Sequence, residues 1–189
     1  MRRFWSIIIC SVAVAGCDSG TQFKSTDITG APYGQALELT DHEGKPRRLE
    51  DFRGKAVVLF FGFAHCPDVC PTTLADIAGA LKQLGPDAER VQVAMVTVDP
   101  ERDTPEVLKK YVTAFDPRFL GLRGDLAATK KVAADFKIYF EKRKQGESYT
   151  VDHSAQSYVI DPRGRLRLLV RHDRIGQDLP SDLRSILSE

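Results

Sequence analysis

A continuous apolar run at residues 56–63 (AVVLFFGF) leads directly into a pair of cysteines, Cys66 and Cys70. A run of this kind is typical of a strand buried on both faces at the centre of a sheet. Apolar residues then recur at helical spacing over residues 74–84, so the cysteines lie where a strand passes into a helix. A helix N-terminus carries partial positive charge and free N–H groups, which favour the thiolate over the thiol. The sequence therefore predicts a reactive or metal-binding site at this junction.

Strand and helix patterns alternate along the rest of the chain. The predicted strands are residues 37–40, 47–49, 56–63, 91–98, 138–141, 157–160 and 166–170, and the predicted helices are 74–84, 107–115, 126–136 and 179–187. This order indicates an α/β protein with a thioredoxin-like fold, in which helices flank a central mixed sheet and an extra β-hairpin precedes it. Sites in such folds lie at the carboxyl ends of strands, where both cysteines fall.

The composition is that of an ordinary globular protein. A chain of 189 residues is long enough for one domain with a full core. The 27 Lys and Arg residues are balanced by 26 Asp and Glu residues, and no basic stripe stands out. The sequence therefore gives no reason to expect a nucleic-acid partner.

The first residues have the pattern of an export signal. Arg2 and Arg3 precede an apolar stretch at 4–14, which is shorter than the ~20 residues that a spanning helix needs. The following run, residues 14–17 (VAGC), resembles a bacterial lipobox, whose cysteine is lipidated and becomes the mature N-terminus. An ordinary signal peptide, or an uncleaved anchor with Cys17 incidental, is the alternative.

The lipobox interpretation divides the chain into three parts. These are a lipoprotein-type signal peptide at 1–16, a lipid-anchored flexible tether at 17–34, and the folded domain at 35–189. Cys10 is lost with the signal and Cys17 is lipidated, so Cys66 and Cys70 remain as the free thiols of the mature chain. In an exported protein the default state of two thiols is a disulfide.

The cysteine spacing, C-x-x-x-C, exceeds by one residue the C-x-x-C of thioredoxin-like oxidoreductases. Both sulfurs can face one side of the first helical turn, which suits a disulfide with local adjustment or two thiolates on one soft metal ion. A structural zinc site takes four ligands. Cu(I), in contrast, prefers thiolate and accepts few ligands, including a nearby imidazole.

Among the four histidines, His153 is the strongest candidate for that imidazole. His65 adjoins the first cysteine, so the two side chains should point apart, His42 falls in a predicted turn, and His172 lies in a charged run. His153 precedes the strand predicted at 157–160. In thioredoxin-like folds the loop entering that strand faces the cysteine turn and usually carries a cis-proline, and here a histidine takes its place.

Three ordered motifs together resemble the Sco/SenC family. They are residues 61–71 (FGFAHCPDVCP), residues 96–105 (VTVDPERDTP), and DHS at 152–154 followed by YVID at 158–161. The resemblance implies a membrane-anchored, thioredoxin-like copper protein that helps to assemble the binuclear copper centre of cytochrome c oxidase. It places the family's two cysteine ligands on Cys66 and Cys70 and its histidine ligand on His153.

The resemblance also implies a setting and partners. The cofactor is copper, as Cu(I), Cu(II) or both. The partners are the copper-site subunit of a respiratory cytochrome c oxidase and an upstream periplasmic copper donor, and the location is the periplasmic face of the bacterial inner membrane. Asp99 is either a carboxylate beside the site or a turn-forming Asp-Pro residue.

Three functions remain to be compared. The first is copper delivery through Cys66, Cys70 and His153. The second is an enzyme, a thiol–disulfide oxidoreductase that reduces the oxidase cysteines without delivering copper. The third is a peroxiredoxin-like peroxidase, which Phe63 disfavours because it stands where such enzymes carry a threonine. A pure dithiol enzyme needs no imidazole, so His153 favours copper, although the same thiols can serve both roles.

Overall fold

The computed structural model describes residues 22–189, so the predicted signal peptide and Cys17 lie outside the described residues. The strands are β1 (Thr26–Asp27), β2 (Glu38–Asp41), β3 (Pro46–Arg48), β4 (Ala56–Gly62), β5 (Val91–Thr97), β6 (Leu120–Arg123), β7 (Phe140–Gln145), β8 (Ser148–His153), β9 (Ser157–Ile160) and β10 (Leu166–Val170). The α-helices are α1 (Val69–Leu84), α2 (Pro105–Thr113), α3 (Leu126–Asp135) and α4 (Ile175–Ser188).

The main sheet is mixed and has the strand order β1-β10-β9-β4-β5-β6-β2-β3. Strand β4 lies at its centre, parallel to β5 and antiparallel to β9, and every residue of β4 is buried. Helix α1 packs against α4, α2 packs against β6, and α3 contacts β2. The predicted thioredoxin-like α/β fold, with its N-terminal hairpin β2–β3 at the edge of the sheet, is confirmed.

Strand β6 was not predicted from the sequence. It is four residues long, and Gly121 interrupts its apolar pattern. A Cβ at Gly121 would lie 2.9 Å from the Leu108 Cβ, so the glycine allows α2 to pack closely on this strand. The C-terminal helix also begins earlier than predicted, at Ile175.

Residues 138–153 differ most from the prediction. One strand at 138–141 and a loop around His153 were expected, but the chain forms a separate two-stranded sheet, the β7–β8 hairpin. His153 is thus the last residue of β8 rather than a loop residue. Most of β7 is exposed, so it lacks the apolar alternation by which a half-buried strand is recognised.

Part of the segment predicted as a tether packs on the domain. Strand β1 pairs with β10, and the backbone N–H groups of Lys24 and Ser25 donate to the buried Asp182 carboxylate at 2.8 and 2.9 Å. The folded part of the chain therefore begins before residue 35. Over residues 22–189, none of the helices has both the length and the hydropathy to cross a membrane.

Candidate metal centre

The two cysteines lie between the end of β4 and the first turn of α1. Cys66 is in the connecting loop and is partly exposed, whereas Cys70 is the second residue of α1 and is fully buried. The backbone N–H of Cys70 donates to the Cys66 sulfur over 3.4 Å. An amide at the helix N-terminus thus points at the Cys66 sulfur, in the position where it stabilises a thiolate.

The two thiols have opposite acidities. The pKa of Cys66 is lowered, first by a hydrogen bond from the Cys70 side chain and then by nearby backbone N–H groups. The pKa of Cys70 is raised by the same hydrogen bond, in which it is the donor, and by its burial. Cys66 is therefore the thiolate of the pair, and Cys70 keeps its proton.

His153 brings its imidazole to the cysteines from β8. Its Nε2 lies 3.4 Å from the Cys70 sulfur, and its Nδ1 lies 2.8 Å from the Ser154 carbonyl oxygen. Because a carbonyl oxygen only accepts, Nδ1 carries the hydrogen and the Nε2 lone pair faces the sulfurs. The rings of Phe63 and Phe60 pack edge-on against the imidazole, with centroids 5.7 and 6.4 Å away, and fix its plane.

The structure brings the three predicted residues together. The two sulfurs and one imidazole nitrogen all lie within 4.8 Å of one another. The other histidines lie elsewhere: the Nδ1 of His42 accepts the Gly121 N–H at 3.0 Å, and His172 is on the surface. His65, half exposed, turns its Nδ1 towards Asp103 at 3.6 Å.

The donor set suits a soft metal ion. Two sulfurs and one nitrogen are one ligand short of a structural zinc site, but they match the preference of copper for thiolate and imidazole. A cavity of about 330 Å³ opens between the cysteine loop and β8, and it is lined by Cys66, Pro67 and His153 among others. Cys66 and His153 are therefore reachable by an incoming ion or by a partner's side chain.

Gly62, at the end of β4, was not recognised as a site residue from the sequence. A Cβ there would lie 2.9 Å from the Cys70 sulfur and 2.6 Å from Cε1 of Phe60. A glycine inside an otherwise bulky strand indicates a close approach of this kind, so the signal was present in the sequence.

Asp103 was also not recognised from the sequence, and it supports the cysteine loop through a hydrogen bond. Its Oδ2 accepts the Ala64 backbone N–H at 3.1 Å and the Thr97 hydroxyl at 2.6 Å. The side chain is fully buried, and this burial raises the pKa of its carboxyl group. No local pattern identifies it, because Ala64 and Asp103 are far apart in the sequence.

Asp99 lies beside the site, but protein groups occupy both of its oxygens. One accepts the Arg102 Nε–H, and the other accepts the Tyr149 hydroxyl at 2.9 Å. Asp99 is fully buried. Its position fits a structural role for the carboxylate better than a turn residue or a copper contact.

Comparisons with known proteins agree with this fold. A family model described as SCO1/SenC matches residues 25–188. The structure of Bradyrhizobium japonicum ScoI with copper bound shares 39% identity and a TM-score of 0.75, covering 82% of this chain and 99% of that one. The solution structures of apo Sco1 from Thermus thermophilus share 43% identity and a TM-score of 0.78, covering 88% and 98%.

A relative from Mus musculus, described as a mitochondrial SCO2 homolog, is 34% identical over 168 residues, which are 86% of this chain and 66% of that protein. The chain spans less than two thirds of the length of such relatives. The family match nevertheless covers almost all of the described residues, and solved structures share both fold and sequence. The chain belongs to the SCO1/SenC family.

Proposed function

We propose that this protein binds one copper ion through Cys66, Cys70 and His153 and delivers it to the binuclear copper centre of a respiratory cytochrome c oxidase. The observation that carries the proposal is the approach of two sulfurs and the His153 Nε2 within 4.8 Å. A dithiol reductase has no use for an imidazole whose lone pair faces its thiols. The related ScoI structure contains copper, which supports the same cargo here.

The chain's own groups prepare this binding. Cys66 is already a thiolate, and Cys70 releases its proton when a metal ion takes its place, so binding becomes tighter as pH rises. In the neutral tautomer that donates from Nδ1 to the Ser154 carbonyl, the His153 Nε2 presents its lone pair to the metal site. Three donors hold the ion by few bonds, so a recipient cysteine pair can replace them one at a time.

One observation favours a second role as a thiol–disulfide reductase. Cys66 is an accessible thiolate with the protonated Cys70 buried beside it. Cys66 could attack a disulfide of the recipient, forming a mixed disulfide and releasing one recipient thiolate. Cys70 would then pass its proton to the released recipient thiolate and attack the Cys66 sulfur, which breaks the mixed disulfide and releases the second recipient thiolate, so that two electrons pass to the recipient and the internal disulfide remains. The two roles use the same thiols and are not exclusive.

We further propose that the domain is anchored at the periplasmic face of the inner membrane through a lipid on Cys17. The support is the basic, apolar and Ala-Gly-Cys pattern of the first 17 residues. An upstream periplasmic copper donor then supplies the ion. Mass spectrometry of the mature protein tests this, since a chain that retains residues 1–16 would contradict it.

Copper titration of the reduced protein, in competition with a chelator, tests the ligand set. We expect one copper per chain, and His153→Ala should weaken binding by at least about tenfold while both thiols stay titratable. His172→Ala is the matched control, because His172 is a surface residue away from the site. Unchanged affinity in His153→Ala would remove the imidazole from the site.

A deletion strain separates the two roles. Loss of the protein should lower oxidase activity most when copper is scarce. Restoration of activity by added copper supports delivery, whereas failure of added copper supports the reductase. Normal oxidase activity in the deletion strain at low copper would contradict the oxidase as the client.

A further inference from the structure

The β7–β8 hairpin that carries His153 is attached to the domain by few contacts. It shares no strand pairing with the main sheet, and Val151 is its one fully buried apolar residue among those that the structure describes. An ion pair joins Lys142 to Glu101 at 2.6 Å, but both side chains are exposed, and exposed pairs stabilise little. The position of the imidazole must therefore depend on some other contact between hairpin and domain.

A polar cluster of the buried Asp99 with the partly buried Arg102 and Tyr149 makes that contact. Asp99 follows β5 and accepts hydrogen bonds from Arg102 and from the Tyr149 hydroxyl. Arg102 also donates from Nη1 to the Tyr149 backbone carbonyl at 2.9 Å, and its guanidinium carbon lies 3.8 Å from the centroid of the Tyr149 ring. Asp99 and Arg102 of the domain thus contact the backbone, the ring and the hydroxyl of Tyr149.

The cluster is coupled to the imidazole along two routes. Tyr149 and His153 are four residues apart on β8, so they lie on the same face of the strand. The Arg102 guanidinium also lies 5.9 Å from the centroid of the Phe63 ring, and Phe63 packs edge-on against His153. A shift of Arg102 would therefore disturb both the strand that carries the imidazole and the ring that orients it.

We propose that Asp99, Arg102 and Tyr149 form a positioning cluster that holds His153 at the cysteine pair. None of the three contacts the metal; each acts through the β7–β8 hairpin. Breaking the cluster leaves the fold intact but lowers the fraction of molecules with the imidazole in place, and the apparent copper affinity falls by that fraction. The proposal rests on the ligand set of the proposed function.

The test compares Arg102→Gln with Arg165→Gln. Arg165 likewise donates its Nε–H to a buried carboxylate, that of Asp161, at 2.7 Å. Asp161 follows β9 next to Ile160, which pairs with Val57 at the end of β4 away from the cysteines. Both variants therefore remove an arginine–carboxylate ion pair, one beside the hairpin and one far from it. Tyr149→Phe removes only the hydroxyl that donates to Asp99 and keeps the ring.

The first measurement uses the copper-free protein. Hydrogen exchange of the backbone amides of β7 and β8 should be about tenfold or more faster in Arg102→Gln, with exchange in β4 and β9 unchanged. Tyr149→Phe should show a smaller acceleration confined to the same amides, and it replaces Arg102→Gln if that variant fails to fold. Arg165→Gln should leave exchange in the hairpin at the wild-type rate.

The second measurement uses the copper(II)-loaded protein. In Arg102→Gln the imidazole nitrogen coupling in pulsed electron paramagnetic resonance should weaken, and copper affinity should fall about tenfold. Both thiols should stay titratable. A merely destabilised fold would not change the spectrum of the folded molecules, so Arg165→Gln should keep the nitrogen coupling even if its melting temperature falls.

The proposal would be overturned if Arg102→Gln and Tyr149→Phe both kept the wild-type rate of hydrogen exchange in the hairpin and the wild-type nitrogen coupling. Failure of the ligand set gives a different result: the wild-type protein itself would then show no imidazole nitrogen coupling. Hairpin exchange in the copper-free variants would still decide whether the cluster holds the hairpin.

Discussion

The backbone of Gly62 and the sulfur of Cys70 leave no room between them for a methyl group. A Cβ at Gly62 would stand 2.9 Å from that sulfur, and the ring of Phe60 closes the other side at 2.6 Å. Cys70 is fully buried in α1, so its sulfur has no free space into which to retreat. The glycine is therefore what allows this sulfur to reach His153.

Gly62→Ala should disturb both stability and metal binding. Overpacking of this kind costs about 1–3 kcal/mol in the free energy of unfolding, measured by urea denaturation. Copper affinity, measured by chelator competition, should fall because the displaced sulfur no longer meets the other two donors. Gly79→Ala, in the α1 helix that carries Cys70, is the control: a Cβ there meets nothing within 4 Å, so stability should rise by up to about 1 kcal/mol with copper affinity unchanged. Wild-type copper affinity in Gly62→Ala would refute the packing argument.

The two cysteines should differ in reactivity towards iodoacetamide. Cys66 is accessible and its pKa lies below the usual value of 9.0, while Cys70 is buried and its pKa is raised. A lowered pKa means that the thiolate persists as pH falls, so the alkylation rate at Cys66 should stay level from pH 9 down to pH 6. Timed labelling followed by peptide mass spectrometry measures both sites. The prediction would be wrong if the alkylation rate at Cys66 rose in proportion to hydroxide concentration, as it does for a thiol with an ordinary pKa.

Oxidation should abolish copper binding reversibly. A disulfide between Cys66 and Cys70 consumes both sulfur donors and leaves the His153 imidazole alone, which is too few ligands to retain copper. Thiol counting before and after oxidation, followed by copper titration, measures the effect, and reduction should restore one copper per chain. An oxidised protein that still binds a full equivalent of copper would show that the sulfurs are not the principal donors.

The sequence predicts the centre of this molecule well because the signals there are local. The apolar run of β4 and the two cysteines that follow it determine strand, loop and helix within about 30 residues, and the resulting site lies where a central strand ends. The DHS motif likewise predicts His153 as the imidazole ligand. The element that carries it was misassigned, because most of β7 is exposed and has no apolar periodicity by which the hairpin could be recognised.

What the sequence does not predict is the set of contacts made between distant segments. Asp103 meets Ala64 across 39 residues, and Asp99 meets Tyr149 across 50. These carboxylates are buried because of the tertiary positions of β5 and the hairpin, and the spacing of residues in the sequence does not predict those positions. The same holds for residues 22–34, whose polar composition suggests a linker, although their backbone pairs with β10 and with the Asp182 carboxylate.

The buried carboxyl group of Asp103 should make the stability of the protein depend on pH. Burial raises its pKa above the ordinary range of an aspartate, so the folded chain holds this proton more tightly than the unfolded chain does. Its Oδ1 has no hydrogen-bond partner, and the His65 Nδ1 lies 3.6 Å from it. The contribution of Asp103 to stability is therefore greatest in acid and is lost as pH rises through the raised pKa.

Asp103→Asn should remove this dependence. Its amide oxygen can still accept from Ala64 and Thr97, and no charge remains to be buried. The free energy of unfolding, from urea titrations between pH 4 and pH 8, should equal or exceed that of the wild type at pH 8 and change less across the range.

Asp161→Asn is the matched control with the opposite sign. Asp161 is also buried, but hydrogen bonds from Arg165 and Arg167 outweigh that burial and lower its pKa, so loss of its charge should destabilise the protein most at neutral pH. An Asp103→Asn protein that follows the wild-type pH profile would mean that the carboxyl group is already neutral, or is solvated, throughout the range.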